Sequence, residues 1–409
     1  MLLSTKIMLQ VSEKDAAALE FMQGKCRSLY NWWIMRLRDG ERWPGWRAAK
    51  ATLAASKDYD QELRFVYGKL LHEVYFRLDR AMTAFYRRVQ SGETPGFPRV
   101  RLRHSFFTLC YPAMYIKVEA GRLYLPTGGG GSSGILKRYP NIVARLTEPV
   151  PAKYYEVAIS RDARGHYYAS FVAEENDAPA QVDGGVLALD LGIKTLATGV
   201  HEQGRIYHIG GFTGHQWYNH QLDRIRAKRA RCQKKSRRYV HLSQVYQRVS
   251  ERKRHKQRDC LHKASYLIAH RLVASTVVIG DLSQRQMVSK VHQEKQRSRR
   301  PLHRAVFNDW GLYRFVQMLE YKCQHAGKAL HRIDERYTSK ECSACGRRQD
   351  MPLWKRTYRC GNPQCGLVMD RDENSAINIL QRFLARLGPH TALDQSCGVL
   401  HPGAAINTF

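Results

Sequence analysis

Val186-Leu-Ala-Leu-Asp190-Leu-Gly-Ile-Lys194 decides the reading of this chain. Four apolar residues in a row, without alternation, describe a strand buried on both faces. The run ends on an aspartate, after which the chain turns away. In an open α/β sheet, ligand groups gather at the carboxyl ends of strands, so Asp190 is placed as a metal ligand. A turn-forming aspartate is the plainer alternative. Downstream, residues 195–200 and 205–209 continue an antiparallel meander, and 214–274 form a long helical stretch. Thr276-Val-Val-Ile279 is a second buried strand. A helix over 308–326, a strand over 328–333 and a helix over 374–387 follow. This order predicts an α/β domain built around a mixed sheet.

Upstream the pattern differs. Residues 1–10 read as one strand, and 11–90 as helical. Leu19, Met22, Cys26, Leu29 and Trp33 recur every three or four positions, and 65–85 does the same. Trp32, Trp33, Trp43 and Trp46 sit among arginines here. A helical core accounts for them, with base stacking as the alternative. Residues 91–178 switch to strand-like segments at 105–109, 114–119, 122–126, 154–160 and 167–173, separated by Pro and Gly. They describe a small barrel interrupted by the helical insertion. The polar run Glu174-Glu-Asn-Asp-Ala-Pro-Ala180 marks its boundary. Residues 388–409 carry no period and are expected to form a loose tail.

Lys plus Arg total 67 against 36 Asp plus Glu, a formal charge of +31 in 409 residues. That excess exceeds what an ordinary soluble enzyme carries and points to a polyanionic partner. A membrane surface is the other common polyanion. However, no apolar run approaches the roughly 20 residues of a spanning helix, and no lipidation signal stands out. The first ten residues lack the apolar block of a signal peptide. Of ten cysteines, Cys26, Cys110, Cys232, Cys260, Cys323 and Cys397 are scattered singly, which argues for a reducing cytosol rather than a disulfide framework.

The remaining four cysteines give the strongest local signal: Cys342-Ser-Ala-Cys345, then Cys360-Gly-Asn-Pro-Gln-Cys365. Two thiolate pairs on tight turns close a tetrahedral Zn²⁺ site, and four ligands leave no open position, so the site is structural. Asp372 lies just ahead of the last predicted helix. It is either a second acidic corner of the site or an N-cap, with Asp370 as its competitor. Basic residues crowd 224–258, among them Arg224, Lys228, Arg231, Lys234, Lys235, Arg237, Arg238, Arg252, Lys253 and Arg254. A solvated helix face alternates signs, whereas this density suits phosphate neutralisation. A further stretch, from Lys290 through Lys295, Arg297, Arg299 and Arg300 to Arg304, reads as a mobile loop over the site.

Together these segments resemble the transposon-encoded TnpB family, the RNA-guided nucleases related to type V CRISPR effectors. The resemblance runs through Cys26-Arg-Ser-Leu-Tyr-Asn31, Pro95-Gly-Phe-Pro-Arg99, Asp190-Leu-Gly-Ile-Lys194, Tyr337-Thr-Ser-Lys-Glu-Cys342 and Asp370 to Leu380. It implies a multidomain α+β and α/β chain. A wedge β-barrel (1–10 and 91–178) would hold an inserted helical recognition domain (11–90). An RNase H-like RuvC domain (183–336 and 368–387) would hold an inserted zinc ribbon (337–367). It also implies a guide RNA paired with target DNA beside a short flanking motif, and cutting by a Mg²⁺-dependent RuvC site. The transposase of the same element is a further expected partner, and the nucleoid of a prokaryotic cytoplasm the expected location. Asp190 and Asp372 match the first and third family acids.

The chain departs from the family at Gly280, where the pattern carries glutamate before Asp-Leu. Asp281 is a poor substitute, because adjacent strand residues point to opposite faces. In an RNase H fold the strand 328–333 would lie beside the one carrying Gly280, about 4.8 Å away, so an acid just past its end is within reach. The expectation is a relocated third acid: Asp190, Glu335 and Asp372 holding divalent ions, with Asp334 as the lesser candidate. The alternative is that Glu335 pairs with a surface cation, and that the chain grips nucleic acid under guidance without cutting it.

Overall fold

The computed structural model describes residues 2–53, 60–103, 105–128, 138–175, 178–180, 183–192, 195–281, 309–352, 354–387 and 406–408. The chain divides into two compact units between Glu175 and Asn176, inside the polar run that predicted a boundary. No described helix is long and apolar enough to cross a membrane.

The first unit is a seven-stranded antiparallel sheet with helices inserted between its first two strands. The strands are β1 (Leu2–Gln10), β2 (Leu109–Pro112), β3 (Lys117–Glu119), β4 (Arg122–Leu125), β5 (Ile142–Leu146), β6 (Glu156–Arg161) and β7 (Tyr167–Glu174). They are ordered β2-β6-β7-β1-β5-β4-β3, so the N-terminal strand lies at the centre. Along β7 the side chains alternate buried and part-exposed, as a sheet with one covered face requires. Two expectations shift here. The strand expected over 105–109 begins only at Leu109, and β5 was not anticipated. Its Ile142, Ala144 and Leu146 are buried, while Val143 and Arg145 face out.

The insertion holds α1 (Glu13–Arg38), α2 (Trp46–Ala51) and α3 (Gly68–Gln90). Ser12 caps α1 by accepting from the Asp15 amide at 3.1 Å. Leu19, Met22, Cys26, Leu29 and Trp33 form its buried face, as their spacing predicts. Trp33 meets Trp32, Trp43 and Tyr75 edge-on. The Trp43 indole donates to Asp79 at 2.8 Å. This tryptophan group is therefore core, the plainer of the two readings.

The second unit is built on a mixed sheet. Strands β8 (Val186–Asp190), β9 (Ala197–His201), β10 (Ile206–Ile209), β11 (Thr276–Gly280), β12 (Ala329–Ile333) and β15 (Ile406–Thr408) are ordered β12-β11-β8-β9-β10-β15. A small hairpin, β13 (Thr357–Arg359) with β14 (Val368–Asp370), stands apart from it. Strands β8, β11 and β12 run parallel. The tail expectation is corrected in part, since residues 406–408 pair with β10 as an edge strand. The rest of 388–409, and the basic stretch 290–304, lie outside the described residues.

Helices α4 (His215–Ala230), α5 (Arg237–Tyr266), α6 (Leu312–His325) and α7 (Arg371–Leu387) complete the unit. The parity of the strands sorts the two cores. Leu187, Leu189, Val277 and Ile279 pack with Leu261, Phe315 and Leu319 from α5 and α6. Val186, Ala188, Val278 and Ile333 pack with Ala376, Ile377, Leu380 and Phe383 from α7. Burial on both faces is why β8 and β11 read as continuous apolar runs.

Candidate active site and zinc centre

The same parity aims the acids. Asp190 continues the 186–188–190 series toward α7, and Gly280 continues 276–278–280 toward it. Asp281 falls on the other face. Gly280 pairs with Ile333 on β12, so Glu335, two residues on, rises on the α7 side. Its side chain lies directly over Gly280. A β-carbon built at 280 would stand 2.2 Å from Glu335 Oε2 and 2.9 Å from Glu335 Cβ. The glycine is thus the space that the glutamate occupies.

Helix α7 brings the third acid. It begins three residues earlier than its apolar period suggests, and Asp370 is its cap, accepting from the amides of Asp372 at 2.8 Å and Glu373 at 3.4 Å. The capping alternative for Asp372 is therefore taken by Asp370. Asp372 sits in the first turn, its Oδ2 3.8 Å from an Arg356 guanidinium nitrogen. Burial drives the Asp190 carboxyl well above the ordinary carboxylate range, the charges of Asp372 and Glu335 add to this, and a hydrogen bond from Ser375 opposes it. Burial, then the neighbouring Asp281 and Asp334, pushes Glu335 up to about 7. Glu335 Oε2 is buried without a hydrogen-bond partner. Such an oxygen costs free energy unless a cation or proton satisfies it. The donor set of oxygens suits a hard divalent ion. The three carboxylates stand wider than the cysteines, however. Among the described residues only the four cysteines place every ligand atom within 4.8 Å of the others.

That cysteine set is the predicted one. Cys342 Sγ lies 3.7 Å from Cys365 Sγ, and Cys345 Sγ lies 3.6 Å from Cys360 Sγ. Gly346 and Gly366 follow the second cysteine of each pair at φ +71° and +63°, turns that glycine adopts without strain. The cluster fits a tetrahedral zinc ion.

The basic helices need one correction. Arg224, Lys228, Arg231, Lys234, Lys235, Arg237, Arg238, Arg252 and Arg254 are exposed. Lys253 is only 8% exposed. Its ammonium is bonded to the Asp309 carboxylate and, at 2.7 Å, to Asn219 Oδ1, which removes it from any nucleic-acid surface. The sequence also did not single out Ser375, Arg356 or the pair His208–Glu373, joined at 2.9 Å beside Asp372. Ser375 lies one helical turn after Asp372, which was the available signal.

Comparisons with known proteins match the segments that carry these residues. The Cas12f1-like TNB domain family matches residues 313–379, a span that includes Glu335, all four cysteines and Asp372. A family described as "Probable transposase", of the IS605 OrfB type, matches 170–291, which includes Asp190 and Gly280. A Streptomyces pristinaespiralis protein named "Putative RNA-guided DNA endonuclease" is 31% identical over 277 residues, 63% of this chain and 61% of its own length. A Mycobacterium tuberculosis protein of the same description is 26% identical over 303 residues, 71% of this chain and 62% of its own. TnpB-like protein L79 of Acanthamoeba polyphaga mimivirus is 34% identical over 119 residues, 28% of this chain and 21% of its own. The chain thus spans about three fifths or less of the length of these relatives. Cas12f1, solved with its guide RNA and target DNA, shares the fold, with a TM-score of 0.57 at 11% identity over 93% of this chain and 98% of that one. The two family matches fall on the segments that build the two sites, and the chain is similar over them to TnpB-like proteins and putative RNA-guided DNA endonucleases.

Proposed function

We propose that this protein is a transposon-associated, RNA-guided DNA endonuclease whose RuvC-type site uses Glu335 in place of the acid absent at Gly280. The observation that carries the reading is the Glu335 carboxylate seated in the space over Gly280, with a buried, unpartnered oxygen on the α7 side of the sheet. Asp190, Glu335 and Asp372 would hold Mg²⁺ there, and ions so held activate a water and stabilise a leaving oxygen. The chain's own part is to fix the three carboxylates on one face and keep water from all but the reacting edge. The Cas12f1 complex was solved with guide RNA and target DNA. By that analogy we assign these partners here, with sequence read by base pairing and the exposed arginines and lysines of α4 and α5 holding phosphates. The zinc ribbon, the wedge-like first unit and the RuvC-like second unit are assigned on the same basis.

A second reading, guided binding without cutting, is favoured by the spacing of the carboxylates beyond 4.8 Å. Sequencing the RNA that copurifies with the chain, then offering a plasmid matched to it with Mg²⁺, distinguishes the readings. Matched cutting is expected. Matched binding without cutting supports the second, and binding with no RNA dependence contradicts both.

A further inference from the structure

Glu335 lies beyond the last ladder pair of β12, and β12 is the edge strand of its sheet. A family-type acid at position 280 would sit on a strand flanked by β8 and β12 and paired with Ile333 at that very residue. Glu335 has no such support, so something other than the sheet must aim it.

Arg382, on the outer part of α7, meets that need. One guanidinium nitrogen donates to the carbonyl of Asp334 at 3.1 Å and to that of Arg336 at 2.7 Å, the two residues flanking Glu335. The other donates to the Glu341 carboxylate at 2.7 Å. The turn that follows is held against local preference, with Tyr337 at φ +67°, a region bulky side chains rarely enter. Asn378, also on α7, donates to the carbonyls of Thr338 and Glu341, both at 2.8 Å. The Thr338 hydroxyl donates back to the Glu335 carbonyl at 2.9 Å. The loop bearing Glu335 is thus anchored to the helix that carries Asp372.

We propose that Arg382 is a positioning residue, clamping the carbonyls on both sides of Glu335 so that its carboxylate is held over Gly280. This rests on the reading of Glu335 as the third acid. A planar guanidinium serves the two carbonyls from one nitrogen and the carboxylate from another in a fixed fork, whereas a lysine has a single nitrogen for all three.

The test uses the full-length, zinc-loaded chain, with Mn²⁺ binding followed by electron paramagnetic resonance and hydrogen exchange followed at residues 334–338. Arg382→Met and Arg382→Lys should each weaken Mn²⁺ binding by about 10- to 100-fold, as loss of a residue orienting a ligand does. Exchange at 334–338 should rise while α7 keeps its protection. In the swap that returns the acid to β11, Gly280→Glu with Glu335→Gly, Arg382→Met should change Mn²⁺ affinity by less than about twofold, because the two sites are then uncoupled. Mn²⁺ affinity in Arg382→Met equal to wild type would overturn the proposal. So would loss of protection along all of α7, or an equal loss of affinity in both backgrounds. Failure of the underlying reading looks different: Glu335→Gln would then bind Mn²⁺ as tightly as wild type.

Discussion

Glu335 and Gly280 carry the account at the scale of single residues. Burial holds the Glu335 carboxyl at about 7 against an ordinary 4.5. A carboxyl raised in the folded state binds its proton more tightly there than in the unfolded chain. Its stabilising contribution is complete below the unfolded value and is lost as pH rises through the folded one. In EDTA, the melting temperature of wild type relative to Glu335→Gln should therefore fall as pH rises from about 5 to about 7.5, and Mg²⁺ should restore it. A pH-independent difference would mean that Glu335 is solvated. Gly280→Ala should displace the carboxylate, since the new methyl would stand 2.2 Å from Glu335 Oε2. Loss of metal-dependent cutting and about 1–3 kcal/mol of overpacking are expected by activity assay and denaturant titration. The candidate site was legible in the sequence as far as strand parity goes, since parity separates Gly280 from Asp281. Arg382 was not, since its partners near Glu335 are backbone carbonyls far back along the chain, and carbonyls leave no trace in side-chain pattern.

At the scale of elements, local periodicity identified what it could and missed what depends on distant partners. Helix α7 was expected from residue 374 because Arg371-Asp-Glu carries no apolar period, yet those residues are its first turn, capped by Asp370. Strand β5 escaped notice as a short run whose order in the sheet is set by β1 and β4. Lys253 read as one cation among many because Asp309 lies far along the chain. Lys253→Met should therefore cost stability, about 3–5 kcal/mol if Asp309 is left buried and unpaired, while leaving the salt dependence of RNA binding unchanged. Arg237→Ala with Arg238→Ala should do the reverse, reducing the slope of log affinity against log salt by about 0.7–0.9 for each phosphate no longer neutralised. A slope unchanged by the double substitution would remove those two arginines from the interface. The cysteine cluster makes its own claim. A zinc chelator should open residues 337–367 to protease before the rest of the second unit, because the metal contributes directly to folding there. Unchanged cleavage sites after chelation would contradict a structural zinc.

For the whole molecule, a formal charge of +31 points to a polyanionic partner before any fold is considered. The central claim is that this charge grips guided nucleic acid around a working, rearranged metal site. The most direct measurement is cutting of a guide-matched plasmid, in Mg²⁺ or EDTA, by wild type and Glu335→Gln, with target binding measured in parallel. The account predicts cutting by wild type in Mg²⁺ only, its loss in Glu335→Gln, and equal binding by both. Undiminished cutting by Glu335→Gln, or firm guided binding with no cutting by wild type, would contradict it.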